Sequence, residues 1–358
     1  MKALVTGANG LIGANLIRDL LFTGHQVRAL VRPTSNLRSL DGLDIEKVFG
    51  DVLHLDSLDE AAQGCDVIFH SAAMFSYWGM NAEQLENLAV DGTRNVINAA
   101  HTSGVPRLVL TSSSVVMGSS HRPLVLNEEH HLDDNDTAPY VIAKVLQEQN
   151  AFEYAADLGI ELVAVCPTMS VGPHGYRLGP SNGLIVSYLN DLSRATFPGG
   201  CNIVSVNDVA RGHIIAAEKG EPGERYVLGS ENLKWSAIHQ MISELCGIDG
   251  PYWQANHTVS YLASAMSEIA AKFTGKTPLT TRTQARMVGR YYWYDHAKIA
   301  ALGYQPQSAR SALAEAISWL VTSPHISRQV RMSLRISREV YQARKGLATA
   351  GATIEASQ

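Results

Sequence analysis

The sequence predicts an α/β protein with a doubly wound parallel sheet and a smaller, mostly helical C-terminal lobe. Two observations support this fold class. Short apolar runs suited to buried parallel strands alternate with segments of helical periodicity over residues 1–166. After Pro167 this alternation stops, and a Gly- and Pro-rich stretch is followed by mostly helical patterns. Strands that alternate with helices are joined by right-handed crossovers, which place the strands side by side in one parallel sheet.

The elements follow from local patterns, taken in chain order. The opening run from Lys2 to Thr6 is apolar and leads into glycines, and the segment from Leu11 to Phe22 has apolar residues at helical spacing before Gly24. Further strands are predicted at 26–31, 66–70, 107–112, 161–166 and 225–228. Further helices are predicted at 57–62, 83–102, 138–158, 184–192, 207–219 and 308–321, with a helical lobe over 234–262 and 263–303.

Composition narrows the class of protein. Hydrophobic residues make up 46% of the chain and charged residues 18%, as in an ordinary globular protein, and the net charge of -5 gives no reason to expect a nucleic acid partner. The four cysteines are scattered and are expected to be reduced. The first strand begins at residue 2 or 3, and no apolar run approaches the ~20 residues of a membrane span. A cytoplasmic protein is therefore expected.

The turn after the first strand is rich in glycine. The run Thr-Gly-Ala-Asn-Gly-Leu-Ile-Gly occupies residues 6–13, between a predicted strand and a predicted helix. Glycines permit a tight turn and close backbone approach to a pyrophosphate, while the helix N-terminus offers N–H groups and a positive dipole end. The motif therefore predicts a dinucleotide site in this context. Its candidate contacts are Gly7, Asn9, Gly10, Leu11, Ile12 and Gly13.

The residue after the second strand bears on which nicotinamide cofactor is bound. An acidic residue there would bond the ribose 2′-hydroxyl and repel a phosphate. This chain has Arg32, whose guanidinium suits a 2′-phosphate through charge-assisted hydrogen bonds. NADP(H) is favoured, and NAD(H) stays possible.

Tyr140 and Lys144 are four residues apart on a predicted helix, so their side chains project from the same face. A free phenol has a pKa near ~10 and is a poor acid or base at neutral pH. An ammonium one turn away favours the phenolate, so we expect Lys144 to lower the pKa of Tyr140. Behind a dinucleotide turn, this pair indicates acid/base catalysis of hydride transfer.

Together these residues resemble the extended short-chain dehydrogenase/reductase superfamily. Within it, the chain is similar to the dihydroflavonol-4-reductase branch and to the hopanoid-associated sugar epimerases. The resemblance extends to about residue 321 and implies a Rossmann sheet that binds NAD(P). The matching segments are 27–32, 50–52, 70–73, 92–96, 140–144, 207–213 and 222–229.

The resemblance also implies roles for individual residues. Ser113 matches the catalytic serine that acts with Tyr140 and Lys144, and Ser112 is its nearest competitor. The further cofactor contacts that it implies are Asp51, Val52, Ser71, Ala72, Ala73, Pro167 and Thr168. Candidate substrate contacts are Ser114, His174, Tyr176 and Tyr188. In one departure, Ala89 replaces an asparagine that shapes the helix and a proton-relay water in the family.

The implied chemistry is proton transfer by Tyr140 at a carbonyl or alcohol oxygen, with Ser113 polarising that oxygen and Lys144 supporting the tyrosine. The first hypothesis is an NADPH-dependent reductase of a fairly hydrophobic small molecule, with a 3β-hydroxysteroid dehydrogenase-like activity as a sub-case. A sugar-nucleotide epimerase that retains its NAD is the alternative. A non-catalytic cofactor sensor is disfavoured, because such proteins usually lose the tyrosine and lysine.

The domain boundaries follow from these motifs. Residues 1–166, joined by 202–229, form the predicted cofactor domain, and 167–201 with 230–321 form the substrate lobe. Residues 322–347 are predicted to be a basic amphipathic helix and 348–358 a disordered tail. The helix at 325–345 is expected to dock on its own domain or on a second subunit, with peripheral membrane contact as the other interpretation. A homodimer is possible, and no metal site is expected around His130 and His131.

Overall fold

The computed structural model describes residues 1–72, 82–132, 138–274 and 280–356. Its strands in chain order are β1 (Lys2–Thr6), β2 (Gln26–Val31), β3 (Glu46–Phe49), β4 (Val67–His70), β5 (Arg107–Thr111), β6 (Val125–Leu126), β7 (Glu161–Pro167), β8 (Met169–Val171), β9 (Ala195–Thr196), β10 (Gly200–Ser205), β11 (Arg225–Leu228), β12 (Glu231–Lys234), β13 (Trp253–Gln254) and β14 (Tyr291–Tyr294).

The helices in chain order are α1 (Leu11–Phe22), α2 (Leu55–Ala62), α3 (Ala82–Thr102), α4 (Pro139–Asp157), α5 (Pro180–Asn190), α6 (Val206–Lys219), α7 (Trp235–Cys246), α8 (His257–Thr274), α9 (Arg282–Ala285), α10 (Ala297–Ala300), α11 (Ala309–Leu320), α12 (Arg328–Ser333) and α13 (Arg338–Ala356). Single 3-10 turns lie at Arg38–Leu40 and Ser114–Met117.

Seven strands form the main sheet in the order β11-β7-β5-β4-β1-β2-β3, and every neighbouring pair is parallel. This is the predicted doubly wound sheet, with its switch point beside β1. The edge strand β3 was not predicted. Three of its four residues are exposed to solvent, and its sequence shows no apolar run.

Helices cover both faces of this sheet. On one face α1 packs on α6, and on the other α3 packs on α4. Because strands are pleated, the side chains of neighbouring residues point to opposite faces of the sheet. Val109 packs in the core under α1 and α6, whereas Leu108 and Leu110 pack in the core under α2, α3 and α4. The carboxyl ends of the strands therefore lead into the loops between these two layers.

The smaller lobe contains more strand than the sequence predicted. A second sheet has the order β12-β10-β14-β6, with β8 pairing to β10, and β13 pairs with β9. The aromatic run Tyr291–Tyr294 lies in this sheet as β14, although a helical lobe was predicted over 263–303. Its burial alternates, with Tyr292 and Tyr294 inside, which is strand periodicity in residues that pack well on a pleated surface.

The predicted single basic helix at 325–345 is wrong. Helix α12 ends at Ser333, and an extended stretch precedes α13. In that stretch the backbone N–H groups of Arg335 and Ser337 donate to the carbonyls of Cys246 and Leu245 at 2.8 and 2.9 Å. These bonds satisfy carbonyls at the end of α7 that have no partner within the helix, which favours the break over a continuous helix.

The tail at 348–358, predicted to be disordered, is helical in backbone through Ala356 as the end of α13, and residues 357 and 358 lie outside the described residues. Four of the residues from 348 to 356 are alanines, the best helix formers. The other end of α13 packs on α11, with Val340 buried.

Candidate active site

The glycine-rich turn joins β1 to α1 in a tight conformation. Gly7 has a φ of +66°, and a Cβ there would lie 2.6 Å from the backbone of Ser71, so only glycine fits. Gly13 is equally constrained, since its Cβ would lie 2.3 Å from the Gly7 carbonyl oxygen. Gly10 is the N-cap of α1, and its N–H donates to the Gly7 carbonyl at 2.9 Å. The turn thus brings the start of α1 close to the end of β4.

The start of α1 fits an anionic group. Within the described chain, no side chain caps Gly10, and the first turn holds no acidic residue that would compete with an anion. The N–H groups of Leu11, Ile12 and Gly13 belong to this first turn. Beside it, the buried Ser71 hydroxyl has no hydrogen-bond partner among the residues described. Uncapped amides and an unsatisfied hydroxyl suit the pyrophosphate of a dinucleotide.

The loop that follows β2 lies against this turn. Asn9 donates from its amide to the Asn36 carbonyl at 3.2 Å, and Ser39 donates to the Asn9 carbonyl at 3.2 Å. These bonds tie the loop that carries Arg32 to the glycine-rich turn, while Arg32 itself is exposed directly after β2. The guanidinium is therefore available to a ligand bound at the turn.

Asp51 and Val52 follow β3, and both are held by neighbouring helices or turns. The Asp51 carboxylate accepts from the Leu53 N–H at 3.1 Å, and the Val52 carbonyl accepts from the Asn95 amide on α3 at 2.9 Å. Ala72 donates its N–H to the Thr6 hydroxyl at 3.2 Å. Ala73, the last cofactor contact implied on this side, lies outside the described residues.

Tyr140 and Ser113 lie together. Helix α4 starts with Pro139 at its first position, where the missing N–H costs nothing, so Tyr140 falls in the first turn. Its phenol is buried and hydrogen-bonded to the Ser113 hydroxyl. Ser113 caps the short 3-10 turn after β5. The two chain segments therefore bring a phenol and a hydroxyl to one point.

The structure corrects the expected electrostatics of the tyrosine. Burial raises the pKa of Tyr140 to about 12, and the hydrogen bond from Ser113 opposes this rise only in part. Burial also lowers the pKa of Lys144 to about 8, against the attraction of Glu148. The phenol is therefore protonated at neutral pH, because loss of solvation outweighs the hydrogen bond from Ser113.

Lys144 is anchored by two acceptors. Its ammonium donates to the Thr111 carbonyl at 2.9 Å and to the Gln147 amide oxygen at 2.8 Å. The Gln147 amide nitrogen donates to the Thr93 hydroxyl at 2.7 Å, and Thr93 donates to the Ala89 carbonyl at 2.6 Å. Gln147 was missed in the sequence, although its spacing of three residues from Lys144 places it on the same helix face.

This network continues to the glycine-rich turn through His70. Because Thr93 gives its only proton to Ala89, it must accept from His70 Nε2, which lies 3.1 Å away. His70 Nδ1 then accepts from the Thr6 hydroxyl at 2.8 Å, and Thr6 accepts from Ala72. Burial, and secondarily Lys144, lowers the pKa of His70 to about 3, so the ring stays neutral. A continuous buried chain of hydrogen bonds thus joins Lys144 to the glycine-rich turn.

Ser112 is occupied elsewhere and so does not compete with Ser113. It is buried and donates to the Glu148 carboxylate, which forms an ion pair with Arg225 at 2.8 Å. The hydrogen bond connects the end of β5 to α4, and the ion pair connects α4 to β11. Ser113, by contrast, is hydrogen-bonded to Tyr140.

Pro167 and Thr168 end β7 at the carboxyl edge of the sheet. Pro167 is buried in register with Leu228 of β11. Thr168 donates its hydroxyl to the Asn202 side chain at 2.8 Å and its N–H to the Leu228 carbonyl at 3.1 Å. Thr168 therefore joins the main sheet to β10 of the second sheet.

The candidate substrate contacts fall in separate places. His174, with a φ of +63°, and the exposed Tyr176 both pack on Trp319 of α11, at ring-centroid distances of 5.0 and 5.1 Å. Burial, together with Arg18, lowers the pKa of His174 to about 3. Ser114 is buried and hydrogen-bonded to Tyr294. The ring contacts on Trp319 therefore lie within the smaller lobe, and the bond between Ser114 and Tyr294 joins this lobe to the segment after β5.

Tyr188, predicted to contact substrate, packs in the core of the smaller lobe. It is 3% exposed, its ring stacks on His239 at 4.3 Å, and its hydroxyl lies 2.8 Å from Ser243 Oγ. Its spacing in α5 places it on the buried face of that helix.

A family model described as the NAD dependent epimerase/dehydratase family matches residues 3–229, the span that holds the glycine-rich turn, Ser113, Tyr140 and Lys144. The chain belongs to this family. It is an extended short-chain dehydrogenase/reductase that depends on NAD(P) and acts at a CH–OH or C=O group. The resemblance inferred from the motifs is confirmed at this level.

Similar proteins extend the match beyond residue 229. A putative dihydroflavonol 4-reductase of Synechocystis sp. is 33% identical over 340 residues, covering 91% of this chain and 96% of that protein. Sterol demethylase protein B of Methylococcus capsulatus is 30% identical over 324 residues, with 89% and 98% covered. The crystal structure of gox2253 matches with a TM-score of 0.79 at 31% identity, with 91% and 99% covered.

Proposed function

We propose that this protein is an NADPH-dependent reductase that converts a carbonyl group of a hydrophobic, polycyclic small molecule to an alcohol. The observation that carries the proposal is the buried, protonated Tyr140 hydrogen-bonded to Ser113, with Lys144 one turn further along α4. Burial raises the pKa of Tyr140 to about 12, so the phenol holds its proton at neutral pH, which is the protonation state that carbonyl reduction requires of the donor.

Each side chain has a distinct task in the proposed reaction. When bound, NADPH supplies the hydride that the carbonyl carbon receives. Ser113 donates a hydrogen bond to the carbonyl oxygen and polarises the C=O bond. Tyr140 gives its phenolic proton to that oxygen, which becomes the hydroxyl of the product. The Lys144 ammonium stabilises the resulting phenolate, and solvent protons restore the phenol.

The cofactor preference rests on the positions around the glycine-rich turn. The uncapped start of α1 and the Ser71 hydroxyl suit the pyrophosphate, with Asp51 and Val52 toward the adenine. Arg32, exposed after β2 on a loop tied to Asn9, suits the 2′-phosphate of NADP(H). Pro167 and Thr168, at the carboxyl edge of β7, suit the nicotinamide end.

The substrate class rests on burial and on the relatives. Tyr140 is 7% exposed and Lys144 4%, so the reacting oxygen would enter a site with little water. The names of two similar proteins refer to a dihydroflavonol and to a sterol, both polycyclic molecules that carry oxygen on a ring carbon. A flat hydrophobic ketone is therefore the class of substrate to test first.

The test follows NADPH oxidation as a loss of absorbance at 340 nm, where reduced nicotinamides absorb. The substrates are a panel of cyclic ketones and UDP-sugars. The proposal expects turnover with at least one polycyclic ketone and an equal amount of alcohol by mass spectrometry. Protein that purifies with tightly held NAD and interconverts UDP-sugars without net NADPH oxidation would instead make it an epimerase.

A further inference from the structure

Helix α8 has its apolar side turned outward. Five large apolar residues spaced three and four apart form one stripe along it, all exposed to solvent, from 43% for Val259 to 87% for Phe273. The α8 stripe is defined by Val259, Leu262, Met266, Ile269 and Phe273. Helices on the surface of a globular protein normally turn such a stripe toward the core.

The inner side of α8 is polar, and polar contacts fix its orientation. Glu268 accepts from the Arg282 backbone N–H and from the Arg282 guanidinium, both at 2.7 Å. Ser264 Oγ lies 3.1 Å from Thr280 Oγ1. Glu268, Ser264 and Ser260 are all buried. Turning the stripe inward would break these hydrogen bonds, which hold α8 with its apolar stripe facing outward.

Charge distinguishes between the partners that would cover the stripe. The described residues from 251 to 290 contain four basic side chains, Lys272, Arg282, Arg286 and Arg290, and one acidic side chain, Glu268, a local excess of three positive charges. The whole chain has a net charge of -5. A second copy docked on the same stripe would bring two positive surfaces together, whereas an anionic lipid surface complements this excess.

Aromatic residues flank the start of the same helix. Tyr252 is 66% exposed, and Trp253 is 44% exposed with its indole N–H donating to the Ser193 carbonyl at 3.1 Å. Leu192, next to Ser193, is 91% exposed. Tyr and Trp are the residues that favour the boundary between lipid headgroups and acyl chains.

We propose that the α8 stripe binds the surface of an anionic lipid bilayer, with the helix lying in the plane of the interface and Lys272 and Arg286 near the headgroups. No helix in the described ranges is long and apolar enough to cross a membrane, so the contact is peripheral. This site replaces the basic segment at 325–345 as the point of membrane contact, because that segment is broken at Leu334 and docked on α7.

The test is co-sedimentation of the full chain with phosphatidylcholine vesicles that contain or lack phosphatidylglycerol. The variant Met266→Gln/Ile269→Gln/Phe273→Gln removes the apolar stripe at exposed positions. The matched control is Phe22→Gln/Met332→Gln, which changes two equally exposed apolar residues outside α8. Melting temperature and NADPH binding show that each variant is folded.

The proposal expects wild type and control to bind anionic vesicles alike, and the stripe variant to bind about tenfold or more weakly. Lys272→Gln/Arg286→Gln should weaken binding to anionic vesicles and leave the residual binding to neutral ones unchanged. If the stripe variant loses stability, Phe273→Ser alone carries the test. Absence of wild-type binding, or equal binding by the stripe variant, overturns the proposal. A dimer in light scattering that the stripe variant converts to a monomer, without vesicle binding, assigns the stripe to a second copy.

Discussion

The amide oxygen of Gln147 accepts a hydrogen bond from the Lys144 ammonium at 2.8 Å, inside the protein and one turn along α4. A buried ammonium needs such acceptors, because burial alone disfavours its charge. Gln147 is in turn held by Thr93, so the position of Lys144 depends on α3 and, through His70, on the end of β4. The proposed catalytic pair and the glycine-rich turn therefore share one polar network.

Replacing Gln147 should shift the pH dependence of kcat/KM for NADPH. With Lys144 at a pKa of about 8, kcat/KM for NADPH is expected to fall as pH rises through about 8, since the lysine loses its proton there. Gln147→Leu removes an acceptor from the ammonium and should move this limb to lower pH. Gln147→Glu adds a negative charge and should move it to higher pH. Steady-state kinetics from pH 6 to 10 measure both, and an unmoved limb in both variants contradicts the role given to Gln147.

The two neighbouring serines should respond differently to substitution. Ser113→Ala removes a hydrogen-bond donor at the reacting oxygen and is expected to lower kcat about 100-fold with little change in melting temperature. Ser112→Ala leaves the buried Glu148 without one partner and should instead cost about 1–3 kcal/mol of stability. Paired kinetics and chemical denaturation test this. The opposite pattern, with Ser112→Ala losing turnover at full stability, would exchange their roles.

Arg32→Gln should change the choice between cofactors. Loss of a charge-assisted contact with the 2′-phosphate is expected to weaken NADPH binding by about 10- to 100-fold. NADH lacks that phosphate, so its affinity should stay within about twofold and serves as the internal control. Titration of nicotinamide fluorescence gives both dissociation constants. Equal weakening of the two cofactors would mean that Arg32 supports the loop and not the phosphate.

The fold could be predicted from the sequence more completely than the candidate site. Apolar strand patterns and the glycine-rich turn predict the main sheet, because each depends on local residues alone. Strand β14 was missed because its aromatic residues pair with strands distant in the chain. Gln147 and Thr93 were missed for a similar reason: a polar residue inside a helix shows its partner only after α3 and α4 have packed. The predicted lowering of the pKa of Tyr140 is wrong, because burial raises it and the burial of a side chain depends on the whole fold.

His70 should make the folded state sensitive to acid. Its pKa is about 3 in the folded protein and near ~6.5 when unfolded, so its neutral form stabilises the fold above pH 6.5. As pH falls below 6.5, the unfolded state takes up the proton first and stability is lost, by about 2 kcal/mol at pH 5. His70→Asn should melt lower than wild type at pH 7 but lose less stability between pH 7 and 5. A wild-type loss that the variant reproduces in full would place the acid sensitivity elsewhere.

The central claim is that Tyr140 donates the proton in carbonyl reduction, and Tyr140→Phe tests it most directly. The variant keeps the buried ring and removes only the hydroxyl, so NADPH should bind within about threefold of wild type while reduction falls by a factor of 100 to 10,000, the typical contribution of a general acid. The measurement is a single-turnover assay of NADPH oxidation with a ketone that the wild type reduces, alongside fluorescence titration of NADPH. Full retention of reduction by Tyr140→Phe would contradict the account.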